Sequence, residues 1–256
     1  MRWWEAYFGG GDYLHLEGAP NQDDVDRMAD FLCHTLDLRA GSRVLDVGCG
    51  MGRHARALAR RGCAVTAIDA SPYMVDQCRR LAGEGGGFEV QQLDFHTMTF
   101  DAAFDAVVCL GNTLGFGGRD DDAAAVRRMA AALVPGGGLC VELHNLAWYR
   151  VNLPGRTWWE EPGAFVLSDV TYDETDQRLV TRDVVLPTDG TPPREYTMSL
   201  LQYRPSDIEG LLDAAGFAEI TFYGDAGATE DGPAFSREGF GDQSREMVVT
   251  ARRSTG

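Results

Sequence analysis

Val44-Leu45-Asp46-Val47-Gly48-Cys49-Gly50-Met51-Gly52 is an apolar run that ends in alternating glycines, and Arg53-His54-Ala55-Arg56-Ala57-Leu58-Ala59 follows it with helical propensity. The pattern predicts a buried strand that turns sharply into a helix. Backbone amides are exposed where such a helix starts, which makes the turn a candidate nucleotide site.

Charge decides which nucleotide. A dinucleotide site places a pyrophosphate on the helix N-terminus and needs a third glycine three residues after the second, but Arg53 stands there. Asp46, two residues before the first glycine, would repel a pyrophosphate and suits a ligand that carries an ammonium and a sulfonium. S-adenosylmethionine carries both. The segment resembles motif I of the class I S-adenosylmethionine-dependent methyltransferases, in which the acidic residue faces the methionine part and the glycines let the backbone approach the ligand. The resemblance implies S-adenosyl-L-methionine as cofactor and S-adenosyl-L-homocysteine as product, with Asp46, Gly48, Cys49, Gly50, Gly52 and Arg53 in the first part of the cofactor site.

The rest of the chain fits that reading. After the first helix, Cys63 to Ile68 reads as a second strand that ends in Asp69, near the roughly 20 residues expected between the glycines and an acidic residue on a ribose diol. Ser71 and Pro72 supply the N-cap and first position of a helix through Leu81. Phe88 to Leu93 reads as a third strand, followed by Asp94 and Phe95. By the resemblance, Asp94 takes the exocyclic amine of adenine and Phe95 packs near the ring, with Ala70, Met74 and Leu93 in the same pocket. His96 beside them reads as a solvent-facing turn residue. Phe104 to Leu110 reads as a fourth strand leading to Gly111-Asn112-Thr113-Leu114-Gly115-Phe116, where the methyl group should project past Leu110, Gly111 and Asn112. This stretch departs from the Asn/Asp-Pro-Pro-Tyr signature of enzymes that methylate nucleobase or glutamine nitrogens. Asp120 to Leu133 reads as a helix, and Leu139 to Leu143 as a fifth strand that delivers His144 and Asn145.

Strands alternating with helices predict an α/β fold, a Rossmann-like doubly wound sheet that binds ligands beyond the carboxyl ends of its strands. Asp46, Asp69, Asp94, Asn112 and His144 all fall there. Ahead of this unit, residues 1–20 are dense in aromatics and glycine and are expected to lie over the active site. Asn21 caps a helix with Asp23 and Asp24 in its first turn and Val25, Met28, Phe31, Leu32 and Leu36 on one face. From 148 to 204 the periodicity changes to antiparallel strands, Phe165 to Tyr172, Leu179 to Leu186 and Arg194 to Tyr203. This insertion after the fifth strand is expected to be a substrate lid, with Trp158 and Trp159 near its base, or an interface through which two copies associate. The S-adenosylmethionine-binding unit is then 21–147 with 205–256, giving the seven-stranded methyltransferase sheet. The acidic, glycine-bearing loop from Gly224 to Ser244 is long enough to be functional.

Composition removes several other functions. The chain has 256 residues, is 44% hydrophobic, and has no apolar run that could span a bilayer, so it reads as one soluble domain with an elaboration. Met1 to Phe8 lacks the apolar region of a signal peptide, which predicts a cytoplasmic protein. A net charge of −16 argues against nucleic acid as partner, since that affinity rests on neutralising phosphates. All 23 basic residues are arginine, so a Walker lysine and a Schiff-base lysine are both excluded. The six cysteines include no CxxC pair and read as reduced core thiols, with no metal site.

Within the superfamily the chain looks most like small-molecule methyltransferases, including the N-methyltransferases of antibiotic and other natural-product pathways that act on amino sugars, amino acids or lincosamide-type compounds. A neutral amine attacks the methyl group with its own lone pair, whereas a hydroxyl needs a base nearby. Tyr7, Tyr13 and Phe116 are candidates to surround a cationic amine or the sulfonium, and His144 is the histidine placed to touch substrate. His15 travels with the aromatic segment and could enter the pocket, while His34 and His54 read as structural. The acidic balance favours a cationic acceptor and tilts the reading to N-methylation of a small molecule. An O-methyltransferase with His144 as base and a non-catalytic S-adenosylmethionine-binding module are the alternatives.

Overall fold

The computed structural model describes residues 3–17, 21–227 and 234–255. Two short helices, α1 (Trp3–Tyr7) and α2 (Tyr13–Glu17), precede α3 (Gln22–Thr35), β1 (Arg43–Val47), α4 (Arg53–Arg60), β2 (Ala64–Asp69), α5 (Pro72–Leu81) and β3 (Glu89–Gln92). There follow β4 (Phe104–Cys109), α6 (Arg119–Ala132), β5 (Leu133–His144), α7 (Leu146–Asn152), β6 (Arg156–Glu161), β7 (Ala164–Asp173), β8 (Arg178–Pro187) and β9 (Arg194–Leu201). The chain closes with α8 (Pro205–Ala214), β10 (Phe217–Tyr223) and β11 (Glu246–Arg253). The caps read from sequence are made: the Asn21 side chain accepts from the Asp23 amide at 3.1 Å and Ser71 Oγ from Met74 N at 3.2 Å.

Seven strands form one sheet in the order β10-β11-β5-β4-β1-β2-β3, the methyltransferase arrangement. β3, β2, β1, β4 and β5 run parallel, and β11 inserts antiparallel between β5 and β10. Side chains alternate across the strands. Val44, Ala106, Val108, Cys140 and Val248 pack under α3 and α4, while Leu45, Val107, Val141 and Val249 pack under α6 and α8. That alternation also fixes which rim residues share a face with the ligand. All six cysteines are free, five of them buried. Among the described residues, no helix is long and apolar enough to cross a membrane.

The insertion is a separate four-stranded antiparallel sheet, β6-β7-β8-β9. Its inner face buries Ala164, Val166 and Val185 against Tyr7 and Leu16 of the two N-terminal helices. Polar bonds tie the same parts together: Arg194 and Tyr196 donate to Asp12, and Trp159 Nε1 donates to the His15 carbonyl at 3.0 Å. Two elements differ from expectation. β6 was not anticipated because it is an edge strand, mostly exposed and without apolar alternation, and α7 begins two residues before the expected change of periodicity. Trp158 projects from β6 to solvent, 67% exposed, and Trp159 packs on α1 and α2; neither lines the ligand cavity. The β10–β11 loop also differs. Gly224 bridges Ser236, Phe240 stacks on Phe222, and neither this nor any other described part of the loop before Arg245 reaches the cavity; residues 228–233 lie outside the described residues.

The two sheets are joined where β9 meets the turn after β4. Leu201 N donates to the Gly115 carbonyl at 2.8 Å, and a Cβ on Gly115, whose φ is +99°, would stand 2.5 Å from the Leu201 carbonyl oxygen. Beneath this contact Asp122, 1% exposed, accepts from the Gly115 amide and from the Tyr203 hydroxyl. Replacing Tyr203→Phe leaves that buried carboxylate one donor short, and we expect a loss of about 1–3 kcal/mol. The measurement is urea unfolding, where the midpoint should fall with little change in slope. An unchanged midpoint would show that the joint does not depend on this bond.

Candidate active site

The carboxyl ends of β1, β2, β4 and β5 open onto a cavity of about 1060 Å³, walled on the far side by α1, α2 and β9. That volume is at the upper end for small-molecule sites and has room for a cofactor and an acceptor together. Every cofactor residue named from the sequence except Gly52 lines it, as do Tyr13, Phe116 and His144. Gly52 instead packs the helix start, since a Cβ there would lie 2.5 Å from Cys78 Sγ. Tyr7 also falls outside. It is 2% exposed beneath the insertion sheet, with its hydroxyl donating to Glu17 Oε1 at 2.7 Å. His15 stays behind the wall, His54 does line the cavity, and His96 is not solvent-facing: its side chain is 19% exposed, with Nδ1 2.8 Å from Asp94 Oδ1.

The turn after β1 shapes the first part of the site. Gly48 has φ +67°, and a Cβ there would sit 2.4 Å from Thr113 Cγ2, so only glycine lets β1 and the turn after β4 approach so closely. Gly50 N donates to Asp69 Oδ2 at 2.9 Å and Ser71 N to Asp69 Oδ1 at 2.8 Å. Asp69 is thereby held at the end of β2 with lone pairs left for a diol. Asp94, at the end of the next strand, is oriented by the His96 amide at 2.9 Å as well as by its imidazole.

Asp46 is the most constrained group. It is 3% exposed, and its Oδ2 has no hydrogen-bond partner among the described residues. Burial and the nearby Asp69 push its carboxyl up to about 7, against the Arg53 guanidinium and the Ala55 amide. A buried oxygen without a partner is costly, and an ammonium is the partner that fits a carboxylate. The donor set therefore fits S-adenosylmethionine, for which Asp46 would be the partner of the amino group, Asp69 of the ribose diol and Asp94 of the adenine amine.

Three residues at the other end were not anticipated. Glu142 on β5 and Arg245 and Glu246 at the start of β11 line the cavity next to His144. Glu142 Oε2 accepts from Gly111 N at 2.8 Å, and burial raises its carboxyl. Burial, with Glu142 beside it, pushes the Glu246 carboxyl up to about 8. Burial, with the Arg245 charge, drives the His144 imidazole down to about 3. Period two would have revealed Glu142, which lies two residues before His144 on the same face. Glu246 carries no such local signal, because its neighbour His144 reaches it only through the β5–β11 pairing.

The raised carboxyl of Asp46 gives a signed pH dependence. Below about 7 the group is protonated and cannot pair with an ammonium; above it the carboxylate is available. Calorimetric affinity for S-adenosylhomocysteine should therefore fall as pH drops through that range. Asp46→Asn should weaken binding at pH 8 by tenfold or more, consistent with the roughly 1.5–3 kcal/mol of a hydrogen bond to a charged group, and flatten the profile. A profile of equal steepness in the variant would assign the titration to another group.

Comparison with known proteins agrees with this geometry. Residues 44–137 match a family described as a methyltransferase domain. The fold is that of the CcbJ methyltransferase from Streptomyces caelestis, at TM-score 0.77 and 24% identity over 96% of this chain and 98% of that one. CalS10, an amino pentose methyltransferase from Micromonospora echinaspora involved in calicheamicin biosynthesis and solved with S-adenosylmethionine bound, aligns at TM-score 0.69 and 25% identity over 96% of this chain and 98% of that chain. A ubiquinone biosynthesis O-methyltransferase from Xanthomonas oryzae is 32% identical over 216 residues, 82% of this chain and 79% of its own length. With 82% of the chain related at that identity and residues 44–137 matching the methyltransferase domain, the chain belongs to the class I S-adenosylmethionine-dependent methyltransferases.

Proposed function

We propose that this methyltransferase acts on an amine nitrogen of a small-molecule acceptor of secondary metabolism. Bound at the rim, the cofactor supplies an electrophilic methyl group on a sulfonium. What remains for the protein is to hold a nucleophile in line and keep water out.

The observation that carries the reading is the state of His144. A hydroxyl acceptor needs a base, and this imidazole is driven down to about 3, which makes it a poor one. An amine needs none. The aromatic wall supports the same class of acceptor. Trp4, Phe8, Tyr13 and Phe116 line the cavity, with Phe8 stacked on Phe116 at 5.6 Å between centroids. Such rings attract a cation by about 0.5–2 kcal/mol, and carboxylates Glu17, Glu142 and Glu246 stand among them. The likeness to an amino pentose methyltransferase points the same way. The name of the Xanthomonas relative favours O-methylation as the second reading, in which His144, or the raised carboxyl of Glu246 beside it, would serve as base.

The two readings separate in one assay. With labelled S-adenosylmethionine and a panel of amino sugars, amino acids and their hydroxy counterparts, product should appear from amines. His144→Ala should retain turnover within about tenfold, while Phe116→Ala should raise KM for the amine by a similar factor or more, as expected for loss of a cation–π wall. Product from hydroxyl acceptors alone would replace this reading with O-methylation, and its loss in His144→Ala would assign the base to His144.

A further inference from the structure

Glu246 has no evident structural use. It opens β11, is paired across the sheet with His144, and lines the cavity. Its Oε1 lies 3.4 Å from Arg245 Nε, and its Oε2 is sealed from solvent without a hydrogen-bond partner among the described residues. His144 Nδ1 is orphaned in the same way. Around the carboxyl stand Glu142 and His144 from β5, Tyr149 from α7, and Asp225 and Arg245 from the loop before β11. Arg245 is the one cation in that set, and it also reaches the Tyr149 hydroxyl at 3.4 Å. The carboxylates outnumber the positive charge available to them. A buried carboxyl in that position is relieved either by a proton or by a cation brought from outside.

We infer that Glu246 recognises the acceptor as a cation, pairing with the ammonium of an amine-bearing small molecule beside His144 and so selecting amines over their hydroxyl counterparts; the paired carboxylate then takes the ammonium proton, which frees the lone pair that forms the new N–C bond as the methyl–sulfonium bond breaks. This rests on the N-methyltransferase reading and adds the residue that enforces it. A hydroxyl of the same shape brings no charge to Glu246 and leaves its buried oxygen unrelieved. The selection is then a difference between two acceptors of equal size rather than a matter of fit. It also has a pH signature. The carboxyl, raised to about 8, is neutral below that value and ionised above it, so preference for the amine should increase as pH rises from 6.5 to 8.5.

The test uses the full chain saturated with S-adenosylhomocysteine and matched probes whose amines stay protonated across the pH range, cyclohexylamine against cyclohexanol and benzylamine against benzyl alcohol, read by ligand-observed NMR titration. The expected result is at least a tenfold preference for the amine of a pair at pH 8, falling to within twofold in Glu246→Gln, with S-adenosylhomocysteine affinity held within twofold. Glu246→Asp, which keeps the charge on a shorter arm, should recover part of the preference and guards against a glutamine variant that fails to fold. Retention of the full preference in Glu246→Gln, absence of any preference in the native protein, or a preference that is flat between pH 6.5 and 8.5 would each overturn the assignment. If the native enzyme methylates amines and Glu246→Gln does so with unchanged KM, only the role of Glu246 falls. If the native enzyme methylates hydroxyls alone, the N-methyltransferase reading falls with it.

Discussion

The arrangement of this protein follows from one unfavourable fact: carboxylates are buried along the rim of a sheet with too little positive charge to balance them. Asp46 at the end of β1 has an oxygen with no partner among the described residues, and Glu246 at the start of β11 repeats the condition beside His144. Both carboxyls are raised, which is the signature of a site that destabilises its own ionised form. The sign of the linkage is fixed by that direction. Without ligand these groups contribute stability while protonated, at low pH, and the contribution is lost as pH rises through their folded values of about 7 and 8. A cationic ligand reverses the balance, because it supplies the missing partner to the charged form. Affinity for a positively charged cofactor is therefore built from strain in the free protein as much as from contacts in the complex.

Register makes the arrangement possible. Asp46 lies two residues after Val44, Leu110 two after Val108, Glu142 and His144 two and four after Cys140, and Glu246 two before Val248, and those apolar residues pack on the same face of the sheet. Each strand thus carries its functional group on the continuation of its own core stripe. A one-residue slip in any strand would exchange a carboxylate for a core side chain. The glycines after β1 serve the same end, for the contact of Gly48 with Thr113 brings the β1 and β4 turns close enough for both to touch one ligand.

How much of this can be read from the sequence depends on how far apart the cooperating residues are. The β1 turn, Asp69 and Asp94 were legible because their meaning is carried by neighbours within a few residues: an apolar run before, a helix cap after. The parallel sheet was legible for the same reason, repeated strand by strand. β6 was not, since an edge strand need not alternate, and its pairing with β7 is visible only in three dimensions. Tyr7 was assigned to the pocket on composition alone. In the fold it anchors α1 under the insertion, and its neighbours Trp4 and Phe8 take the cavity side. Gly52 shows the converse error, a glycine inside a ligand motif whose freedom is used for helix packing against Cys78. Glu246 lay beyond reach because 101 residues of sequence number, from 145 to 245, separate it from the histidine it faces.

The N-terminal helices pack on the insertion and also reach the larger sheet. Asp12 is held by both Arg194 and Tyr196 of β9, Trp159 of β6 reaches the His15 carbonyl, and the apolar faces of α1 and α2 are buried on β7 and β8. Against the larger sheet the same segment bonds through Trp3 Nε1 to the Phe116 carbonyl at 3.4 Å and accepts at the Phe8 carbonyl from Ser71 Oγ at 2.7 Å, with Trp3, Trp4 and Phe8 packed on the Phe116 ring. The aromatic wall of the cavity is therefore shared, with Trp4, Phe8 and Tyr13 carried by the N-terminal segment against the insertion and Phe116 by the turn after β4, while the rim carboxylates are carried on the larger sheet. The bonds fixing Asp69, Asp94 and Glu142 all lie within the larger sheet and its own turns, and Ser71 couples the two parts, because its amide holds Asp69 while its hydroxyl donates to the Phe8 carbonyl of the wall.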